Sequence, residues 1–533
     1  YLYGSYLRLG RTGFIDRIHR YHCHMSLAPI YLSADIRLIE AKAIASPESP
    51  RLMERAGLAA ANLVVEMLAA GGKRILVLAG PGNNGGDAFE MAAHLKAWFY
   101  RVDLVFLGEL AKLPVDAANA YRKWREAGGV ERTSMPEASS IPRDYDLIVD
   151  GLFGIGLARP LQGRYARAID CVNRSGSTVL ALDIASGIDS DTGAVLGCAM
   201  RATRTLTFIA RKPGLLTLDG ADFCGEISVD SLGLDVVALH HAAGRYIDTA
   251  ILDGLLPRRP RNFHKGNAGD VAILGGAPGM VGAALLAGRA AMVCGAGRVH
   301  LGLIDDLAPR VDPLRPELML RRAQDLTKDS TVLVAGPGMG RDDIAHALLS
   351  DAIDTEACLV LDADALNLIA TDKELERRVA RRTRGNRDHT GKITSTVMTP
   401  HPAEAARLLG LTTREVQADR LVSALRIAKQ YNANVALKGN GTIVASPDGR
   451  WWINSSGHSG MASAGMGDTL TGIIASLIAQ GADPTMGLCA AVWLHGAAGE
   501  ALAARHSGPL GTLADDIGAE ARLILNRHLY NVR

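Results

Sequence analysis

The run Ser455-Ser456-Gly457-His458-Ser459-Gly460-Met461-Ala462-Ser463-Ala464-Gly465-Met466-Gly467-Asp468-Thr469-Leu470 could do chemistry as it stands. A small-residue loop empties there into an apolar-periodic segment (Leu470, Ile473, Ile474, Leu477, Ile478) that ends near Gly481, a pattern that predicts a buried helix. Glycines let backbone approach a ligand closely, and the free N–H groups of a helix start attract anions. Among those donors Asp468 stays ionised and can take a proton from a substrate hydroxyl. Such a loop suits phosphoryl transfer, neutralising phosphate oxygens while the acid activates the acceptor. Taken alone, it fits a glycine-rich turn with an aspartate cap about equally well.

Oxygen-rich strand ends supply the second set. Residues 74–79 read as a buried strand broken by Gly80-Pro81-Gly82, after which Asn83-Asn84-Gly85-Gly86-Asp87 opens a helix. The paired asparagines bring amide donors and acceptors, and the glycines admit a phosphate or sugar near the backbone; a plain Asn-Gly turn explains one Asn but not two plus an acid. Strand 146–150 ends in Asp150 and strand 178–183 ends in Asp183, followed by Ser186. In a parallel sheet these ends share one rim, so Asn84, Asp150 and Ser186 gather hard oxygens suited to a cation such as K⁺. Asp183 is left facing the substrate as general acid/base.

The second half offers His401 where a strand leaves into the helix start Pro402-Ala403-Glu404, and the tight turn Lys438-Gly439-Asn440-Gly441-Thr442 between two strands. The turn presents backbone N–H groups, Lys438 and Thr442 to nucleotide phosphates; His401 on the ligand rim can hydrogen-bond a ribose, amide or phosphate.

The elements that must carry these residues alternate. Two helical patterns over 35–70 precede a strand–loop–helix unit of a doubly wound sheet, whose ligand crevice lies above the strand's carboxyl end. After 236–262 lose periodicity in a Pro/Arg cluster, a second α/β pattern begins with strand 271–274, the glycine loop 275–282 and a small-residue helix through Ala283, Ala287 and Ala291. The expected fold class is α/β in two domains. Residues 1–24 are taken as an extension, 25–245 as the first domain, 246–262 as a linker and 263–533 as the second. The polar stretch 383–392 is expected to be a solvated surface loop.

With 533 residues, 48% hydrophobic and 21% charged, the chain has ample core material. A net charge of +2 gives no electrostatic case for nucleic acid or membrane. Seven scattered cysteines without metal-ligand spacing point to reduced thiols in a cytoplasmic protein. No run of eighteen apolar residues occurs, so a membrane-spanning helix is not expected.

The motifs Gly82 through Asp87, Asp150-Gly151-Leu152-Phe153-Gly154 and Asp183-Ile184-Ala185-Ser186-Gly187 resemble the YjeF N-terminal family, the NAD(P)HX epimerases, over roughly residues 26–235. The resemblance implies a Rossmann-like domain that interconverts the R and S hydrates of NADH and NADPH. It assigns the hydrate to Asn83, Asn84, Gly85, Gly86, Asp87, Gly154, Ile155, Gly156, Leu157, Ala158, Arg159, Pro160, Tyr165 and Asp183, and K⁺ to Asn84, Asp150 and Ser186. Ala88 and Ala185 depart from the family's usual Gly and Pro, reshaping the loops without removing a functional group. Six further motifs in order, among them Gly336-Pro337-Gly338, Asp362-Ala363-Asp364, Thr399-Pro400-His401-Pro402 and Gly465-Met466-Gly467-Asp468, resemble the YjeF C-terminal family over roughly 255–530. Those ribokinase-like proteins are the ADP- or ATP-dependent NAD(P)H-hydrate dehydratases. That likeness places the hydrate on Ala283, Gly338, His401 and Asp468, and the nucleotide on Lys438, Gly439, Asn440, Gly441, Thr442 and Gly467.

The expectation is therefore a two-site repair enzyme. Asp183 shuttles the proton of epimerisation, and Asp468 launches the hydrate hydroxyl onto the terminal phosphate of ADP, with Mg²⁺ accompanying the nucleotide. NADHX, NADPHX and ADP are the expected partners, and a homo-oligomer the expected state. An ordinary small-molecule kinase is the first rival and would leave a stable phosphorylated product. A non-catalytic first domain is the second. A dehydrogenase is disfavoured because no GxGxxG fingerprint is present.

Overall fold

A computed structural model describes residues 27–68, 71–132, 134–326, 330–382 and 394–531. The expected extension 1–24 and the polar stretch 383–392 lie outside them.

The strands in chain order are β1 (Pro29–Ile30), β2 (Arg74–Ala79), β3 (Arg101–Phe106), β4 (Glu131–Arg132), β5 (Leu147–Gly151), β6 (Val179–Leu182), β7 (Arg204–Phe208), β8 (Glu226–Asp230) and β9 (Gly244–Tyr246). The second half adds β10 (Asp270–Gly275), β11 (Arg298–Leu303), β12 (Met319–Arg322), β13 (Val332–Ala335), β14 (Cys358–Leu361), β15 (Thr396–Met398), β16 (Asn434–Leu437), β17 (Thr442–Ala445) and β18 (Trp451–Asn454).

The seven-stranded sheet runs β4-β3-β2-β5-β6-β7-β8 and is parallel throughout. Helices cover both of its faces, so its central strands read as unbroken apolar runs such as RILVLA and VLAL. Strand order reverses between β2 and β5. The loops that follow these two strands must splay apart there, which opens a crevice at their carboxyl ends.

The larger sheet has eleven strands in the order β1-β9-β18-β17-β16-β15-β14-β13-β10-β11-β12. Its β10 to β16 portion is parallel, and β16-β17-β18 close as an antiparallel meander. Helix Met466–Ala479 packs on it beside helix Val281–Val293, so closely that a side chain at Gly472 would lie 2.1 Å from the Ala287 carbonyl. The small residues of both helices serve that approach. Helix Pro484–Arg505 is long and apolar enough to cross a membrane, which the sequence reading did not single out, but most of its apolar residues are packed in the core.

The stretch 246–262, expected as a linker, is in part structural. Strand β9 pairs with β18 and β1, and Ile247, Ile251 and Leu252 are fully buried in the core of the larger sheet. Continuous exposure begins only at Pro257, because the apolar residues up to Leu256 have somewhere to go. The beginning of the chain also crosses over: β1 and β9 hydrogen-bond to the second sheet while the intervening residues build the first. One apolar cluster continues from Ala181, Ile184, Leu215 and Leu216 to Leu333, Leu361 and Leu437, so the two sheets share core.

Candidate active sites

Above β2 and β5 lies a cavity of about 460 Å³. Its wall includes Asn83, Asn84 and Asp87 from the start of helix Asn83–Ala97, Gly154, Ile155, Gly156 and Leu157 from the β5 loop, and Asp183 after β6. Two close approaches fix this rim. A side chain at Gly80 would meet the Leu152 carbonyl at 1.7 Å, and one at Gly85 would meet the Gly80 carbonyl at 2.0 Å. Gly85 and Gly86 thus serve packing, Gly86 against Met53 and Ala117, and neither lines the cavity.

Asp183 is buried and sits at φ +67°, a left-handed conformation that costs a non-glycine residue about 1–3 kcal/mol. Lys212, with no exposure, holds Asp183 Oδ1 and directs its other two protons to Thr207 Oγ1 (2.7 Å) and the Phe208 carbonyl (2.8 Å). An ammonium has three donors, so this one is fully committed and its charge is fixed in place. The Ile155 N–H reaches Asp183 Oδ2 at 3.2 Å. Burial, together with the charge of Asp183, raises the carboxyl pKa of Glu40 and pushes that of Asp87 well up. Both line the same cavity. Sequence reasoning missed Lys212 and Glu40; the available signal for the first was the basic pair Arg211-Lys212 set between the apolar residues 208–210 and 215–216.

Asp150 lies behind the cavity wall with no exposure. Its oxygens accept from Ser186 N (2.9 Å), Ser186 Oγ (2.7 Å) and Leu152 N (3.2 Å). Burial pushes its pKa up to about 6 against those hydrogen bonds. The buried Asn84 side chain has neither its oxygen nor its nitrogen hydrogen-bonded. Unsatisfied buried polar atoms are costly and point to a ligand or ion. Ala158, Arg159 and Pro160 are exposed and stand off the cavity wall, and Tyr165 stands behind Phe153 of that wall, edge to face with ring centroids 4.9 Å apart. Among the described residues no cluster of three His, Cys, Asp or Glu side chains is arranged for a metal. Amide, hydroxyl and carboxylate oxygens are hard ligands, the donor type that hard cations take.

The second cluster forms over the carboxyl ends of β13, β14, β15 and β16. Buried Asp362, at the end of β14, accepts from Lys438 Nζ at 2.8 Å and from Thr471 Oγ1 at 2.8 Å. Helix Met466–Ala479 starts directly above: a side chain at Gly467 would lie 3.4 Å from Lys438 Nζ and 3.7 Å from Asp362 Oδ2. Gly465 precedes it at φ +86°, the turn that swings the loop into the helix. Asp468 is half-buried in the first helical turn. Burial and then the charges of Asp362 and Asp364 push its pKa up to about 6, with Lys438 opposing. For Lys438, burial is outweighed by Asp362, Glu404 and Asp468, which raise its pKa.

His401 caps helix Pro402–Leu409, with Nδ1 accepting from Ala403 N at 3.0 Å. An accepting Nδ1 assigns the ring proton to Nε2, which faces Glu404 Oε1 at 3.3 Å. Burial, then the charges of Lys438 and Arg407, lower its pKa, so the ring stays neutral. Buried Glu404 has its carboxyl pushed up to about 7 by desolvation. Gly338, at φ +57°, brings the β13 loop to 3.1 Å from Ala283 measured from an added side chain, so these two expected hydrate contacts do lie together. The turn after β16 carries Gly439 at φ +139° and Gly441 at φ +65°. Its Asn440 amide is turned away onto the Leu218 carbonyl at 2.9 Å, and Thr442 Oγ1 donates to the Gly439 carbonyl at 3.0 Å.

Residues 271–522 match the model of the NAD(P)H-hydrate dehydratase family, and residues 49–214 match the YjeF-related protein N-terminus. The chain is 39% identical over 488 residues to the bifunctional NAD(P)H-hydrate repair enzyme Nnr of Escherichia coli strain K12, covering 89% of each. It is 35% identical over 509 residues to the enzyme of that name from Coxiella burnetii, covering 93% of this chain and 99% of that one. Its second half is also similar to the solved ADP/ATP-dependent NAD(P)H-hydrate dehydratase of Bacillus subtilis co-crystallised with ATP/Mg²⁺, at 31% identity over 52% of this chain and 95% of that chain, with a TM-score of 0.45.

Proposed function

Because this chain belongs to the family of bifunctional NAD(P)H-hydrate repair enzymes, we propose that its two strand-end clusters divide the work of repair between Asp183 and Asp468. The chain is an NAD(P)H-hydrate epimerase and an NAD(P)H-hydrate dehydratase, with ADP or ATP as the co-substrate we assign to the second activity. The residue roles below are our reading of the geometry.

In the first cavity the hydrated nicotinamide ring lies over Asp183. Its carboxylate, aimed by Lys212 and the Ile155 N–H, takes the hydroxyl proton as the bond from the hydroxyl-bearing carbon to the ring nitrogen breaks, its electron pair passing to nitrogen and leaving an aldehyde. Nitrogen then re-adds to the other face and the proton returns to oxygen, so that R and S exchange. Glu40 and Asp87, whose carboxyl pKa values burial raises, line the same cavity and are the further acids that face the substrate's oxygens. The unpartnered Asn84 oxygen and the buried Asp150 carboxyl beside Ser186 fit K⁺, which would supply counter-charge and stiffen the β5 loop.

In the second cluster Asp468 removes the proton from the hydrate hydroxyl; with a pKa near 6 it is ionised at neutral pH yet basic enough to act. The hydroxyl oxygen forms a bond to the terminal phosphorus of ADP, and AMP departs as that phosphorus loses its bridging oxygen. Phosphate then leaves the ring carbon with the bonding pair, the neighbouring carbon gives up a proton, and NAD(P)H is restored. The His401 Nε2–H and Lys438 orient the substrate and the phosphates. Asp362, Asp364 and Asp468 crowd negative charge here, which fits Mg²⁺ arriving with the nucleotide to neutralise transfer.

The observation that carries this reading is the meeting of the Asp468 helix start with the Lys438–Asp362 pair. The test is incubation of the full chain with R,S-NADHX and ADP or ATP, following reduced-cofactor absorbance and free phosphate. Asp468→Asn should lose dehydration by about 10²–10⁴-fold while R/S exchange continues. Asp183→Asn should do the reverse, leaving the S hydrate repairable. A stable phosphorylated product with no NADH recovered would mark a simple kinase instead.

A further inference from the structure

The turn 438–442 does not stand on its own sheet alone. Gly441, at φ +65°, approaches the first half of the chain so closely that a side chain there would lie 2.1 Å from the Leu216 carbonyl. Two hydrogen bonds link Asn440 directly to Leu218 of the first half: Asn440 Nδ2 donates to the Leu218 carbonyl (2.9 Å), and Leu218 N donates to the Asn440 carbonyl (3.3 Å). Thr217 Oγ1 lies 3.2 Å from the carbonyls of both Asn440 and Gly441, to which it can donate its single proton in turn. It accepts from Arg420 Nε at 3.1 Å. Arg420 is 2% exposed, and its other N–H groups reach Gln417 Oε1 (2.8 Å) and the carbonyls of Leu437 (3.2 Å), Lys438 (3.4 Å) and Gly441 (3.4 Å).

All these acceptors are neutral. Burial pushes the Arg420 pKa down to about 10, and among the described residues no neighbouring charge offsets it, so the guanidinium remains a cation without a counter-ion there. A buried, unpaired charge is costly unless something offsets it. It lies directly beneath the turn that, on the reading above, receives phosphates. We propose that Arg420 and Thr217 are positioning residues for phosphoryl transfer: together they hold the turn 438–442 open for the nucleotide, whose charge offsets the buried guanidinium. The dehydratase site is thereby finished by a residue of the epimerase half. The inference rests on the turn being the nucleotide site.

The test is steady-state dehydration of S-NADHX by the full chain at varied ADP, with thermal melts and R/S exchange measured on each variant. Thr217→Val, which removes the hydroxyl at constant shape, should raise the KM for ADP about fivefold, the scale of one lost hydrogen bond, with kcat within about twofold and R/S exchange unchanged. Arg420→Met should raise the KM further, and Arg420→Lys should recover part of the loss by restoring the charge. Lys438→Met serves as the reference. If it raises the KM while Thr217→Val and Arg420→Lys match the unaltered chain, the positioning role is wrong and the nucleotide turn stands. If it too leaves the KM unchanged, the turn is not the nucleotide site and both readings fall. Should Arg420→Met fail to fold, Thr217→Val decides alone.

Discussion

Single side chains in this protein act through charges that burial has made consequential. Lys212 has all three donors committed and is the counter-ion of Asp183. Removing one partner of a buried pair costs about 3–5 kcal/mol. Lys212→Met should therefore lower the melting temperature and abolish R/S exchange. Adding Asp183→Asn should restore much of the stability but none of the exchange, a double-mutant cycle readable by calorimetry and by R/S separation. Asp150 gives the pH dependence. Its folded pKa is raised to about 6 by burial, above the ordinary carboxylate value. Stability from this group is full at low pH and lost as pH rises through about 6, where an uncompensated buried anion forms. On the proposed assignment, K⁺ bound beside Asp150 would offset that anion. Added KCl should accordingly raise the melting temperature more at pH 8 than at pH 5, relative to an equal concentration of a bulky cation; equal shifts at both pH values would remove Asp150 from the ion's site.

Elements place these residues by ending where they do. The crevice exists because β2 and β5 are adjacent at the point where strand order reverses, and their following loops are pinned by glycine contacts too tight for any side chain. Gly80→Ala would set a methyl group 1.7 Å from the Leu152 carbonyl. It should separate the two loops, abolish R/S exchange and depress the melting temperature, while ADP-dependent dehydration of S-NADHX survives in the folded fraction. Loss of neither activity would show that the rim tolerates the shift. In the second half the helix Met466–Ala479 does comparable work, since Gly465 at φ +86° turns the loop so that Asp468 enters at the first turn, beside Lys438.

At the scale of the molecule the two halves are interlocked and not strung together. From its first described strand, β1 in the second sheet, the chain builds the first sheet and returns through β9 before the second sheet proper is formed. Unbroken exposure within the junction starts after Leu256, where Arg258 and Arg261 are exposed and Arg259 precedes Pro260. Trypsin should nick the native protein after Arg258 or Arg261. The fragments should nevertheless elute as one particle on gel filtration and separate only in denaturant, because the apolar cluster from Ala181 to Leu437 spans both. Free separation of the fragments in buffer would contradict a shared core.

Much of the function was legible in the chain because its chemistry resides in short local runs. Asn83-Asn84 before a helix, acids at strand ends, and a Gly-Met-Gly-Asp helix start each carry their meaning within a few residues, and alternating apolar runs gave the α/β class. Other features depended on distance along the chain. Lys212 meets Asp183 from 29 residues away, and Arg420 meets Thr217 across 203. Residues 246–256 read as a linker because a three-residue strand, β9, and a few isolated apolar residues leave no periodic trace. Local sequence determined which groups the protein would use and on what kind of element. Only the tertiary structure decided which buried charges are paired and which half completes the other's site, because those depend on burial and long-range contact, neither of which any short stretch of sequence encodes.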